Sequence, residues 1–399
     1  MRSYSVNAHI FKYNDKYYFF DSAKIRVIML NPDIGEFLIR CKAMSFKEML
    51  DRNYCTQKQL RVLCNQVQPL LKAEFISFNE FDTEKNFIID FNNINYIWEM
   101  LIYINDSFDE VKKLENRFSE IVEFLSKYSY GSKVYHFALA GNDFSAVNYA
   151  LENLNKYFEP VGKKVFFAVQ CKEDQQFCIP GKKVFNLHEA SGFEHDETER
   201  SLYCIEKYLA FWRYGEQSHE FEPNDLDITE ESGKCLRQAF KENILKYSEI
   251  ARLLRQVRKS RKRFFNCSGG INSLVLDFET GNLRACPHSL KCIGNLKDGL
   301  DYNERQKYFR NSVLSVPECT DCWARYLCGK HCLNIARQEC TQFKKILESI
   351  IALYYDLMME EPEIFKILDQ SVEVSRHKCF YSPISEYCIL GKPRFGGNP

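Results

Sequence analysis

Val134-Tyr135-His136-Phe137-Ala138-Leu139 and Val165-Phe166-Phe167-Ala168-Val169 are two short runs of apolar, β-branched and aromatic residues. Residues 143–157 between them read as a helix, with Asp143 or Ser145 as its cap. Strand, helix, strand at this spacing is the pattern of a βαβ unit, in which a crossover joins parallel strands. Working outward, Phe87-Ile88-Ile89-Asp90 and Val184-Phe185-Asn186-Leu187 read as further strands. Helices are expected near 108–128, 196–214 and 229–259. The span 84–260 is therefore expected to be an α/β domain around a largely parallel sheet, and the pattern alone does not say whether that sheet closes into a barrel.

Before it, residues 1–83 change character. His9-Ile10-Phe11-Lys12-Tyr13 and Lys16-Tyr17-Tyr18-Phe19-Phe20 flank Asn14-Asp15, a hairpin signal, and Ile25 to Leu30 supplies a third strand. Helices are expected over Asp33 to Cys41, over Ser45 to Arg52 with Ser45 and Glu48 as a capping box, and from Thr56. In the last, Leu60, Leu63, Cys64 and Val67 share one face, and Pro69 ends or kinks the helix. Three strands and three helices suggest a small winged-helix-like module whose sheet edge could accept a peptide strand.

After it, residues 261–359 carry short strands, a turn at Thr280-Gly281-Asn282, cysteine-bearing loops and a terminal helix from about Gln342 to Met359. Residues 360–399 form a tail rich in proline and glycine toward its end. The formal net charge is zero, which gives no global pull toward nucleic acid or membrane. Met1-Arg2-Ser3-Tyr4-Ser5 shows no apolar leader, and the longest apolar stretch, around Ile350 to Met359, is too short for a membrane span. A cytoplasmic, reducing compartment is expected, where 17 cysteines point to metal ligation rather than disulfides. A basic run from Arg252 to Arg263 reads either as a solvated helix end or as an anion-facing patch. No phosphate loop, nucleophile elbow or dinucleotide fingerprint is present.

The cysteines are concentrated. Their spacing is Cys267-x13-Gly281-x4-Cys286, then Cys319-x2-Cys322-x5-Cys328-x3-Cys332, then Cys340. Thiolates are soft ligands that suit iron–sulfur clusters or zinc. Structural zinc sites usually show paired short knuckles, and only Cys319/Cys322 clearly forms one, so the spacing favours clusters. His331, between two of these cysteines, is a further candidate ligand or a surface neighbour.

The stretch Cys319-Thr320-Asp321-Cys322-Trp323-Ala324-Arg325-Tyr326-Leu327-Cys328-Gly329-Lys330-His331-Cys332 resembles the core of the SPASM domain. That domain is the carboxyl-terminal extension of radical S-adenosylmethionine enzymes that mature peptides and proteins. The resemblance spans about residues 264–358 and implies two auxiliary 4Fe-4S clusters. By the family's pattern Cys319, Cys322, Cys328 and Cys340 would ligate one, and Cys267, Cys286 and Cys332 the other, with Cys292, another group or substrate at its fourth corner. It also implies a radical-SAM-like partial (β/α) barrel over 84–260 and a peptide-recognition role for 1–83.

Two segments depart from the family. Its Gly-Gly-Glu-Pro turn, which contacts the methionine part of S-adenosylmethionine, reads Ala140-Gly141-Asn142-Asp143-Phe144 here. The Cys-x3-Cys-x2-Cys that binds the radical-initiating cluster is missing, and no cysteine occurs between Cys64 and Cys171. Without three thiolates there is no iron to hold S-adenosylmethionine at the usual site. The expectation is a cytoplasmic member of a ribosomal-peptide maturation system that binds a precursor peptide and works beside an active radical enzyme, with no nucleic-acid or membrane partner. The alternatives are a maturase using an open cluster corner as Lewis acid or redox centre, and a structural zinc scaffold.

Overall fold

The computed structural model describes residues 8–76, 97–129, 134–171, 177–180, 184–186, 202, 204–205, 208–209, 228, 230–243, 248–265, 269–286, 289, 291–330 and 340–370. The first of these segments follows the expected order. Strands β1 (His9–Tyr13), β2 (Lys16–Asp21) and β3 (Arg26–Leu30) form an antiparallel sheet in the order β1-β2-β3. Asn14 and Asp15 both take positive φ, 46° and 60°, the pairing a two-residue hairpin needs to match the strands' twist.

Helices α1 (Pro32–Ala43), α2 (Phe46–Asp51), α3 (Gln57–Gln66) and α4 (Gln68–Lys72) follow. Ser45 with Glu48, and Thr56 with Gln59, form reciprocal capping boxes. Pro69 falls in the first turn of α4, where its missing N–H costs nothing. Both faces of the small sheet are covered. Phe19 and Leu30 pack with Phe37, Leu38 and Leu60 of the helices. On the other face, Phe11, Tyr18, Phe20 and Val27 join a core built largely from C-terminal helices.

The second sheet is a mixed α/β layer with a partly parallel core flanked by helices. Its strands are β4 (Glu99–Ile104), β5 (Val134–Gly141), β6 (Lys164–Cys171), β7 (Val184–Asn186), β8 (Ser273–Asp277), β9 (Asn282–Arg284), β10 (Cys292–Asn295) and β11 (Gly299–Leu300). Their order is β11-β10-β9-β8-β4-β5-β6-β7, parallel from β8 through β7 and antiparallel from β8 to β11. Helices α5 (Phe108–Lys113), α6 (Asn116–Tyr128) and α7 (Phe144–Phe158) flank the parallel strands. Ile102, Phe137, Leu139, Phe167 and Leu276 from the sheet pack against Phe118, Ile121, Ala150 and Leu154 from α6 and α7. Each such apolar side chain contributes about 1.5–3 kcal/mol by leaving water. The opposite face is lined by Leu101, Ala138, Ala168 and Val275, with Tyr103 and Ala140 beside them.

One strand lies where the sequence reading did not place it. Phe87-Ile88-Ile89-Asp90 falls outside the described residues, and among the described residues the first parallel strand is Glu99–Ile104. That strand is central and buried along nearly its whole length, so it lacks the polar alternation that marks a half-buried strand. The expected helix over 108–128 is two helices, α5 and α6, and the expected helix over 229–259 includes α8 (Glu230–Asn243) and α9 (Ser248–Arg258). In the expected 196–214 helix, Leu202, Cys204, Ile205, Tyr208 and Leu209 are helical and the remainder is outside the described residues.

The C-terminal part continues with α10 (Tyr302–Phe309), α11 (Pro317–Thr320), α12 (Arg325–Cys328), α13 (Cys340–Glu360) and α14 (Ile364–Gln370). Arg305 of α10 is 2% exposed and donates to the carbonyls of Gly270 and Ile271 at 2.9 and 2.6 Å, holding the loop that precedes β8. No described helix is long and apolar enough to cross a membrane.

Candidate metal centre

The first four cysteines of interest are delivered by short turns and one helix start. Val316 to Cys328 is a chain of tight turns: Cys319 N–H donates to the Val316 carbonyl at 2.9 Å, and Cys322 N–H to that of Cys319 at 3.1 Å. Cys328 N–H closes onto the Ala324 carbonyl at 2.8 Å. Gly329 and Lys330 then take positive φ, 67° and 72°, which turns the chain away from α12. Cys340 is the first residue of α13.

Cys319, Cys322 and Cys328 are half-buried against the same apolar core, and Cys340 is exposed. Burial pushes the Cys319 thiol above the ordinary cysteine value; Cys322 and Cys340 lie close enough to push it further, while Lys330 opposes them. Tyr208, from a different part of the chain, is pushed up to about 12, first by its burial and then by Cys340 and Cys328. One buried phenol thus senses Cys340 and Cys328, and the Cys319 thiol senses Cys322 and Cys340. Thiolates are soft donors of the kind that bind iron–sulfur clusters or zinc. Among the described residues no three His, Cys, Asp or Glu side chains are disposed to grip a single metal ion.

The second expected set is divided. Cys267 and Cys332 lie outside the described residues, as does His331. Cys286 is described, buried at 7% exposure, and its charge is felt at Tyr103 near the C-terminal end of β4. Arg284, two residues earlier, acts on the same phenol in the opposite sense. Cys292 stands exposed on β10, in register with Arg284.

The C-terminal ends of β4, β5 and β6 are the place where an open α/β sheet usually receives a ligand. After Ile104 the chain reads Asn105-Asp106-Ser107 and enters α5, so moving the first parallel strand to 99–104 still finds no cysteine in its loop. At the end of β5, Gly141 lies against Ile104: a Cβ there would sit 2.6 Å from the Ile104 carbonyl oxygen and 2.6 Å from Val147 Cγ2. Asp143 caps α7 by accepting from Ala146 N–H at 3.1 Å, as expected, and its second oxygen accepts from Phe108 N–H at 3.2 Å. Glycine and acid in this turn are occupied by packing and capping.

Several other candidates also have structural partners. His136 meets Trp98 edge-on at 4.8 Å and stacks near Phe166 at 5.1 Å. Much of the basic run before the cysteines is internal bracing: Arg258 and Lys259 pair with Asp369 at 3.1 and 3.0 Å, Arg252 pairs with Glu249 at 2.8 Å, and Arg263 is 1% exposed. Of the two readings of that run, these contacts favour neither a free anion patch nor a solvated helix end. Tyr208 and Tyr103 were not among the sequence candidates, because nothing local marks a tyrosine whose partner thiol is far along the chain. No family model matches the chain, and no curated protein matches it either.

Proposed function

We propose that the chain is a SPASM-type iron–sulfur protein of a ribosomal-peptide maturation system that does not initiate radical chemistry itself. What supports this reading is the cysteine spacing over Cys319, Cys322, Cys328 and Cys340, some of which influence one another or Tyr208 electrostatically, set beside a cysteine-free loop after β4. Those four thiolates would hold one 4Fe-4S cluster, and Cys286 with Cys267 and Cys332 a second. Such centres supply electron transfer or a Lewis-acidic iron when bound. Cys319 must give up its proton to act as a ligand, so loading weakens as pH falls. The central parallel sheet is read as a partial (β/α) barrel of the radical-enzyme type. Residues 1–83 would receive a precursor peptide on the small sheet, and an active radical enzyme would act on that peptide as partner.

The test is incubation of the reconstituted chain with dithionite and S-adenosylmethionine. The electron paramagnetic resonance signal of reduced 4Fe-4S clusters is expected, with no deoxyadenosine formed. Deoxyadenosine produced over many turnovers would contradict the reading, and absence of any cluster signal would remove its basis.

A further inference from the structure

The small N-terminal sheet and the cysteine turns meet face to face. His9 of β1 lies flat on Trp323, with ring centroids 3.9 Å apart and planes 1° from parallel. Trp323 is the residue directly after Cys322. The same imidazole places Nε2 2.6 Å from Glu348 Oε1, and Glu348 stands on α13, the helix that begins at Cys340. Phe20 of β2 sets its edge against Trp323, centroids 6.0 Å apart. Farther along α13, Asp356 accepts from Lys16 Nζ at 3.0 Å and from Tyr18 Oη at 3.5 Å. The sheet therefore contacts Trp323, the residue after Cys322, and the helix that begins at Cys340, the latter at Glu348 and Asp356.

We infer that β1 is a wall of the Cys319/Cys322/Cys328/Cys340 centre, with His9 as the positioning residue, so that metal loading of these thiols and ordering of the small sheet rise and fall together. Flat stacking and a short hydrogen bond both have narrow geometric tolerance. An ångström of movement in the 319–323 turn is transmitted to His9, and the coupling is reciprocal. The inference rests on the reading that these thiols hold a metal centre, and it gives that centre a second role: it reports to, and is affected by, the surface proposed to take peptide.

Amide hydrogen exchange over residues 9–21 of the full chain tests this. The metal-free protein is compared with two loaded forms, one given ferrous iron and sulfide, the other zinc(II). Where metal is retained, exchange in this segment is expected to slow by about tenfold. His9→Ala should retain the same metal and lose most of that slowing. Glu348→Gln, a milder change with its own fold checked by circular dichroism, should lose part of it. Unchanged exchange on loading, or full slowing in both variants, would overturn the inference. Iron retained without coupling overturns it and leaves the iron–sulfur reading standing; zinc alone retained with coupling does the reverse. Retention of neither metal overturns both.

Discussion

The turn after Val316 and the turn after β5 are built from the same kinds of parts and put them to opposite uses. In the first, tight backbone turns bring thiols to a partly exposed surface: Cys319, Cys322 and Cys328 are half-buried and Cys340 is exposed. In the second, Gly141 is consumed by close packing on Ile104, and Asp143 by two backbone amides. The two turns thus differ in that the first leaves its thiols partly exposed and the second buries its glycine and acid in packing and capping.

The largest effect that would break this comparison is loss of metal. Cys319→Ser combined with Cys322→Ser is expected to reduce iron from roughly eight to roughly four per chain, the content of one cubane. Cys55→Ser with Cys64→Ser, on the small helical module, should leave iron unchanged. Equal losses from the two pairs would erase the distinction between the regions.

Next comes Arg305→Met. It leaves the buried carbonyls of Gly270 and Ile271 without their donors, and is expected to cost about 3 kcal/mol in urea unfolding. A cost under about 0.5 kcal/mol would show that this loop does not depend on its arginine brace. Asp143→Ala should cost about 1–2 kcal/mol by orphaning two amides, with iron content unaltered. A fall in iron would mean that the acid serves a centre after all.

The smallest effect is alkaline. Unfolded tyrosines ionise near pH 10, whereas Tyr208 keeps its proton to about 12 because of burial and the nearby thiols. The folded state binds that proton more tightly, so its contribution to stability is complete below about pH 10 and is lost as pH rises through about 12. Tyr208→Phe should flatten the decline in unfolding free energy between those values. An unchanged slope would place the alkaline sensitivity on other groups.

Much of the local structure was legible in the sequence because its determinants are local. Asn14-Asp15 dictates a hairpin, Ser45 and Thr56 dictate caps, and Val134 to Phe158 dictates strand and helix. What was not legible depends on burial and distance. Glu99–Ile104 is a central strand, where continuous apolar character hides the alternation that would announce it. The division of 108–128 into two helices falls at Leu114-Glu115, which carries no proline or glycine to mark it. The spacing of the cysteines is readable in the sequence, but the surroundings of those described are not. Tyr208 and His9 come from remote segments, and only folding brings the first to the thiols and the second to Trp323 and Glu348.

Elemental analysis of the chain purified without oxygen tests the central claim most directly. Iron and acid-labile sulfide in equal amounts, roughly eight of each per chain, is the predicted result. Stoichiometric zinc with no labile sulfide would contradict it.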